Sequence, residues 1–572
     1  MSWFVSHLAP LMFVVLVPLL FSGIPVAFTL AGCGLLFAGV GIGLGSMPAQ
    51  LMQALPLRIH GIASNETLLA IPFFTFMGLI LQRSGMAEDL LETMGQVFGP
   101  VRGGLALTVI FVGALMAATT GVVAASVISM GLISLPVMLR HGYQRAFASG
   151  VISASGSLTQ VVPPSLVLIV MADQLGVSVG DMYAGALIPA ALLICGYAAL
   201  VGIVAIWRPQ WVPAVPADAA AGATPKAGAG SGHRSLAVLV LFGAGLGWVL
   251  LQAYPALLAA TGRTAAPPTD ERVVVSLACG VFAGFGLAVL DLASGAHCLS
   301  PLARRVAFVM VPPLFLIFLV LGTNFLGVAT PTEGGAMGAS GALALAALRG
   351  RLTRRGAAQA LLSSAKIACV VMLLMMGSTI FSLTFNALEG GAWIESQLVL
   401  LPGGRAGFLI FVTALIFVLG MFLDFYEIAI VLVPLLTPFA QKLGIDLIWF
   451  GVLIGVNLQT SFLTPPFGFA LFFLRSVVPH ADRREPGSGN TTHGVSTRDI
   501  YLGVQPFIGV QVLVMALLIA FPALVLDSLD RPRPKVPQAQ VERVLQEMSP
   551  AKPQQGRPDP VPLLIESMKR NP

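Results

Sequence analysis

Apolar stretches follow one another along almost the whole chain. They lie near positions 9–43, 63–82, 105–139, 146–176, 182–207, 235–260 and 273–294, then 305–328, 335–348, 358–386, 406–441, 446–475 and 500–527. A helix needs roughly 20 such residues to cross a bilayer. The lipid core leaves no water for unpaired backbone groups, so helices that satisfy their own are the natural solution. Composition agrees. Hydrophobic residues are 56% of the 572 and charged residues 10%, where soluble proteins have about 25% charged, and mean hydropathy is +0.90. A soluble enzyme lacks polar surface at this composition, and a disordered chain is excluded by the same numbers. The expected fold class is an all-α polytopic membrane protein.

Several of these stretches exceed one crossing and are interrupted near the middle. The run 105–139 carries AATTG at its centre and 406–441 carries LDFYE. Such interruptions predict re-entrant hairpins or discontinuous helices. The 62 glycines and 40 prolines suit membrane helices that break or pack closely. Cys33, Cys195, Cys279, Cys298 and Cys369 form no CxxC pair, the seven histidines form no HExxH, and no Walker A sequence is present. No cofactor is expected, and nucleotide hydrolysis, redox chemistry and intramembrane catalysis lack their residues. A channel lacks a repeated filter-like loop.

The net charge of +6 is concentrated at one end, where 531–572 holds eight Lys/Arg against four acids. This Pro-rich segment reads as a disordered cytoplasmic tail obeying the positive-inside rule, with no nucleic acid partner. The opening apolar run lacks a basic leader and is too long for a signal peptide, so it reads as a retained helix pair or broken helix. Residues 212–234, rich in Ala, Gly and Pro, read as a flexible linker, and 480–498 as a second, polar loop.

The two sides of the linker resemble each other. At an offset of about 302 residues Pro100 meets Pro402, Pro136 meets Pro438, Gly142 meets Gly444, and Pro163-Pro164 meets Pro465-Pro466. Later, VSVGDMYAG (177–185) matches VSTRDIYLG (495–503). Earlier, IPVAFTLAG (24–32) faces TPTEGGAMG (330–338). This predicts a first repeat over 1–208, a linker with an extra helix pair over 209–300, a second repeat over 301–530 and the tail over 531–572. Paired repeats, often inverted in the membrane, are the sequence trace of secondary transporters, with the site where the repeats meet.

Chemistry is expected in two hairpin tips and two Pro-Pro helices. Proline removes a donor and clashes with the preceding turn, so the helix opens and frees carbonyls. The first tip offers Thr119, Thr120 and Gly121. The first Pro-Pro helix offers Ser155, Gly156, Ser157 and Thr159 before Pro163 and Pro164. The second tip offers Gly420 and Asp424, and the second Pro-Pro helix Asn457, Gln459, Ser461 and Thr464 before Pro465 and Pro466. Neutral oxygens beside freed carbonyls suit a dehydrated sodium ion, while half-helix N-termini suit an anion. The alternative is that each hydroxyl only satisfies a backbone group of its own kinked helix. No Lys or Arg occurs in 115–135, 153–170, 418–432 or 455–470, so an anionic substrate would rely on sodium and helix dipoles. Asp424 fits either a site or a cap for the following half-helix, with Glu427 at reciprocal spacing. Glu333, three residues after Thr330, fits a capping box.

The segments ATPTEGGAMGA (329–339), GMFLDFYEIAIVLVPLLTP (420–438) and NLQTSFLTPPFGFALFF (457–473) carry a resemblance to the large membrane (M) subunit of TRAP transporters, the tripartite ATP-independent periplasmic family. IPFFTFMGLIL (71–81), LISLPVMLRHGY (132–143) and VVPPSLVLI (161–169) support it, and the likeness runs from about residue 8 to 527. The wording LQTSFLTPPFGFALFFLR looks most like the mannitol/chloroaromatic or 2-oxo-acid branch. The resemblance implies an elevator-type secondary transporter in the bacterial inner membrane, with sodium as coupling ion and a small organic acid as substrate. It also implies a small four-helix membrane subunit, expected as a separate chain, and a periplasmic substrate-binding protein. A stand-alone carrier of the same superfamily fold, without a binding protein, is the alternative. The chain departs from the family at its first tip, TTGVVAAS, where relatives have a Ser-rich run. There Val122 and Val123 supply no side-chain oxygen. The basic cluster 349–355 and the tail argue for a cytoplasmic location. Arg102, Arg140 and Arg145 flank the first hairpin, against Arg405 and Lys442 at the second, and place the first hairpin's open end on that side.

Overall fold

A computed structural model describes residues 7–20, 22–214, 229–260, 269–295, 298–399, 402–478, 483–484, 491–492 and 494–529. Most of the linker expected over 212–234, and the whole tail 531–572, lie outside these residues. The end of that expected linker, from Ala229 on, is helical. Of the polar loop 480–498, a two-residue antiparallel ladder pairs Arg483 with Thr492 and Arg484 with Thr491, and Thr497 already opens a helix.

The rest is helical. The chain runs through α1 (Leu8–Leu20), α2 (Val26–Gly43), α3 (Leu55–Ala63), α4 (Ala70–Arg83) and α5 (Met86–Phe98). A hairpin follows, α6 (Gly104–Thr120) and α7 (Val123–Arg140), then a broken helix, α8 (Arg145–Ser157) and α9 (Leu166–Leu175), then α10 (Val179–Trp207). The additional pair is α11 (Ala229–Ala260) and α12 (Thr269–Ser294), which packs beside α13 (Pro301–Phe325). The second series runs α14 (Pro331–Leu348), α15 (Arg354–Ala387) and α16 (Gly390–Val399). Its hairpin is α17 (Gly404–Leu419) and α18 (Phe425–Lys442), its broken helix α19 (Leu447–Leu463) and α20 (Phe469–Val477), and its closing helix α21 (Thr497–Ala520). Among the described residues, 9 helices are long and apolar enough to cross a membrane, or up to 10 if the bent pair Ala49–Ala63 and Glu66–Arg83 forms one span.

The two broken helices run in opposite directions. The start of α8 sits at the start of α21. Arg145 donates to the Gly494 carbonyl at 3.2 Å, and Ala146 and Gly150 lie against Gly503. The start of α19 sits at the other end of α21, where Trp449 Nε1 donates to the Leu518 carbonyl at 2.9 Å. The 24 residues of α21 span about 36 Å, so α8 and α19 enter from opposite faces. Helix α10 tells the same story in reverse. Gln144 donates to Trp211 just past its end, while Gly185 near its start meets Ile448 and Val452. Each outer half-helix also packs on the other repeat's hairpin, α9 against α18 and α20 against α7. This is an inverted repeat, with α8, α9 and α19 buried almost throughout.

The contact of α8 with α21 depends on glycine. A Cβ on Gly503 would fall onto the Ala146 carbonyl, whereas a Cβ on Gly509 of the same helix would meet nothing within 4 Å. Gly503→Ala should therefore lower the apparent Tm of the purified chain, since overpacking costs about 1–3 kcal/mol. Gly509→Ala should leave it unchanged or raise it. Equal effects of the two substitutions would remove the close-packing account.

Candidate functional site

The first break is built by Pro163 and Pro164, which remove two successive amide donors. Residues 161–165 leave the helix, and the Pro163-Pro164 bond is cis, as is Pro465-Pro466. Ser165 repairs both ends of the gap. Its hydroxyl donates to the Gln160 carbonyl at 2.8 Å and accepts from the Val167 amide at 3.2 Å, capping α9. The tip of the first hairpin rests on this start. Gly121 turns the chain with φ of 62°, and a Cβ there would press on Leu166.

Tip and break together assemble a cluster of neutral oxygens. Thr120 Oγ1 lies 2.8 Å from Ser126 Oγ, and Thr159 Oγ1 lies 3.4 Å from the same atom. The Thr120 hydroxyl also reaches the Met116 carbonyl at 2.8 Å, and Thr159 donates to the Gly156 carbonyl at 2.6 Å. All three hydroxyl residues are buried. Ser126 brings a third hydroxyl to the tip, where Val122 and Val123 have none. Thr119 stays apart, its hydroxyl directed to Leu115 and Met116 of its own helix. Ser155 and Ser157 likewise donate to Val151 and Ala154. Back-bonding uses a hydroxyl's hydrogen and leaves its lone pairs.

At the second break, Asn457 Nδ2 donates to the Thr413 carbonyl of α17 at 2.8 Å. Its Oδ1 is buried without a hydrogen-bond partner. Ser461 donates to the Leu458 carbonyl and lies against Gly420 at the tip. Thr464 donates to Thr460. Asp424 caps α18, accepting from the Phe425 amide at 2.7 Å. Glu427 accepts from the Asp424 amide at 3.0 Å, completing a reciprocal capping box. Thr330 and Glu333 form the same box at the start of α14. There the Thr330 amide and hydroxyl hold the Glu333 carboxyl below the usual carboxylate range.

The two breaks touch on the pseudo-two-fold axis. Gln459 Nε2 donates to Ser157 Oγ at 3.4 Å, between residues 302 apart, which is the repeat offset itself. Gln459 also donates to the Tyr197 hydroxyl oxygen at 3.2 Å, and Gln511 donates to the same oxygen at 2.6 Å. Tyr197 comes from α10 and Gln511 from α21, so both closing helices join the knot. Gln459 Oε1 and Gln511 Oε1 are buried without partners. Ser126, Thr413, Tyr197 and Gln511 complete the site beyond the residues chosen from sequence. Only Ser126 had a local signal, as the last residue of TTGVVAAS.

Four half-helices, α7, α9, α18 and α20, start at the tips and breaks, and four, α6, α8, α17 and α19, end there. The starts present partial positive charge and the ends partial negative charge. The breaks differ in access. Residues 161–165 are buried, whereas Pro466 and Phe467 are exposed beside a cavity of about 510 Å³.

The cap account of Asp424 has a direct test. Asp424→Asn keeps an acceptor for the Phe425 amide, while Asp424→Ala removes it and should cost about 1 kcal/mol. Thermal unfolding of the purified chain should separate the two variants, and indistinguishable melting would show that the carboxylate does not act as a cap.

The model of the tripartite ATP-independent periplasmic transporter, DctM component, matches residues 13–524. The chain is similar to the C4-dicarboxylate TRAP transporter large permease protein DctM of Pseudomonas aeruginosa, 26% identical over 74% of this chain and 81% of that one. It is 27% identical to the protein of the same description from Rhodobacter capsulatus, over 81% of this chain and 89% of that one. The isethionate TRAP transporter permease protein DctMQ of Oleidesulfovibrio alaskensis is 23% identical over 82% of this chain and 60% of its own length. With its family model matched over most of the length, the chain belongs to the DctM component family of tripartite ATP-independent periplasmic transporters, as a multi-pass transport permease of the bacterial inner membrane and not an enzyme.

Proposed function

We propose that the chain is the large membrane subunit of a sodium-coupled importer of a small organic acid. It works with a small membrane subunit and a periplasmic substrate-binding protein. The family description, a tripartite periplasmic transporter, supports partners of this kind. One cation site uses Thr120, Ser126 and Thr159 with the Met116 and Gly156 carbonyls. The other uses Asn457 Oδ1, Ser461 and the backbone at Gly420. The observation that carries this reading is the pairing of two neutral, buried oxygen clusters at equivalent places in an inverted repeat.

A buried acceptor without a partner costs about 1–3 kcal/mol, and Asn457 Oδ1 is such an atom. A small hard cation satisfies oxygens of this kind, and unwound backbone supplies the rest of its shell. With no Lys or Arg in 115–135, 153–170, 418–432 or 455–470, bound sodium adds positive charge for an organic anion. The inverted arrangement of α8 and α19 lets either break open to its own side of the membrane, as an elevator movement of hairpins and broken helices against α1–α4 and α13–α15 requires.

Uptake by the reconstituted chain with its small subunit and loaded binding proteins tests this. Ser126→Ala and Asn457→Ala should each raise the sodium concentration for half-maximal uptake by about tenfold, corresponding to 1.4 kcal/mol, with membrane insertion unchanged. Unaltered sodium dependence in both variants would overturn the site assignment. Uptake without any binding protein would favour a stand-alone carrier.

A further inference from the structure

The segment windows nearest the breaks hold no cation, yet the fold brings one in from just beyond them. Arg475, on the last turn of α20, lines the cavity of about 510 Å³ beside the second break, together with Asp424, Pro466, Phe422, Phe467 and Phe472. Phe422 and Phe467 face each other with ring centroids 5.0 Å apart. The Tyr501 hydroxyl, also in the wall, donates to the Pro466 carbonyl at 2.9 Å and holds the break to α21.

Arg475 is positioned by one hydrogen bond and meets no carboxylate within ion-pair distance among the described residues. One of its five N–H groups donates to the Val495 carbonyl at 3.2 Å. A guanidinium with free donors is shaped to take a carboxylate in a two-point contact. Asp424 supplies an acid to the same wall, its oxygen Oδ1 engaged with the Phe425 amide. One fixed cation and one fixed acid leave the wall near neutrality, which suits a monoanion and penalises a dianion. The aromatic remainder offers van der Waals contact to an apolar body of ring size.

We propose that this cavity is a binding site for a monocarboxylate with an apolar body, its carboxylate held by Arg475 and its body against Phe422, Phe467 and Phe472. This assignment rests on the transport reading above and narrows its substrate class.

The test uses the full chain with Cys33, Cys195, Cys279, Cys298 and Cys369 replaced and Thr497→Cys as maleimide reporter. Thr497 lines the same cavity at the start of α21 and is not among the proposed contacts. Benzoate should protect the reporter in a saturable way, while benzyl alcohol, of similar shape without the charge, and succinate, a dianion, should protect at least about tenfold less. Arg475→Gln should raise the half-protecting benzoate concentration by about tenfold, and Arg475→Lys by less. Equal protection by succinate and benzoate, or unchanged protection in Arg475→Gln, overturns the proposal. So does no protection by any carboxylate, which would assign the groove to lipid. Sodium-driven uptake by the same variant reconstituted with its small subunit and loaded binding proteins separates the two readings. Protection without uptake leaves the site standing and removes the transport reading, and uptake without protection does the opposite.

Discussion

A helix broken inside a bilayer must find partners for every backbone group that the break sets free, and the rest of this molecule is arranged around that requirement. Water is not there to help, and each orphaned group costs several kcal/mol in hydrocarbon. Pro163-Pro164 and Pro465-Pro466 impose such breaks on α8–α9 and α19–α20. The repairs are local side chains. Ser165 bonds both ends of the first gap, the tip of each hairpin is folded over a break, and hydroxyls such as those of Thr159 and Ser461 return hydrogens to nearby carbonyls. The oxygens that accept rather than donate remain, and these are the ones proposed to hold the ion.

The inverted repeat turns two such repairs into one device. Because α8 and α19 enter from opposite faces, their breaks meet where Gln459 touches Ser157, its own counterpart. Contact between equivalent residues happens only on a symmetry axis. Tyr197 receives Gln459 and Gln511 at that point, so α10 and α21 are tied to both breaks by one phenol oxygen. Away from the axis the two halves differ, the first break being buried and the second facing a cavity. One break closed and its counterpart open is the asymmetry that the proposed alternation between two states would use.

Much of this was legible in the sequence, for physical reasons. The double prolines repeated at a constant offset among polar residues lie at the two helix breaks, whereas Pro312-Pro313, without a counterpart, stays inside the continuous α13. The spacing Asp424–Glu427 and Thr330–Glu333 encodes reciprocal caps, since three residues is the reach of a first helical turn. Tyr197, Gln511 and Thr413 were not legible. Each acts through a partner in a distant segment, and nothing local distinguishes a tyrosine at the axis from one at the membrane surface. Ser126 is not among the expected site residues, because Val122, Val123 and two alanines separate it from Thr120 along the chain. Helical geometry places it back over the tip, beside Thr120. Arg475 falls outside any window drawn on the break alone, since only the short return helix α20 carries it to the cavity.

Sodium binding to the two oxygen clusters is the central claim, and it can be measured without substrate or partner. Thermal unfolding of the purified chain should be recorded in sodium, potassium and choline chloride at equal ionic strength. A bound ion stabilises the folded state in proportion to the logarithm of its concentration over Kd. The account predicts a melting temperature that climbs with sodium, stays flat in potassium and choline, and loses most of its sodium response in the Ser126→Ala, Asn457→Ala double variant. A melting temperature indifferent to which cation is present, or a sodium response that survives both substitutions, would contradict it.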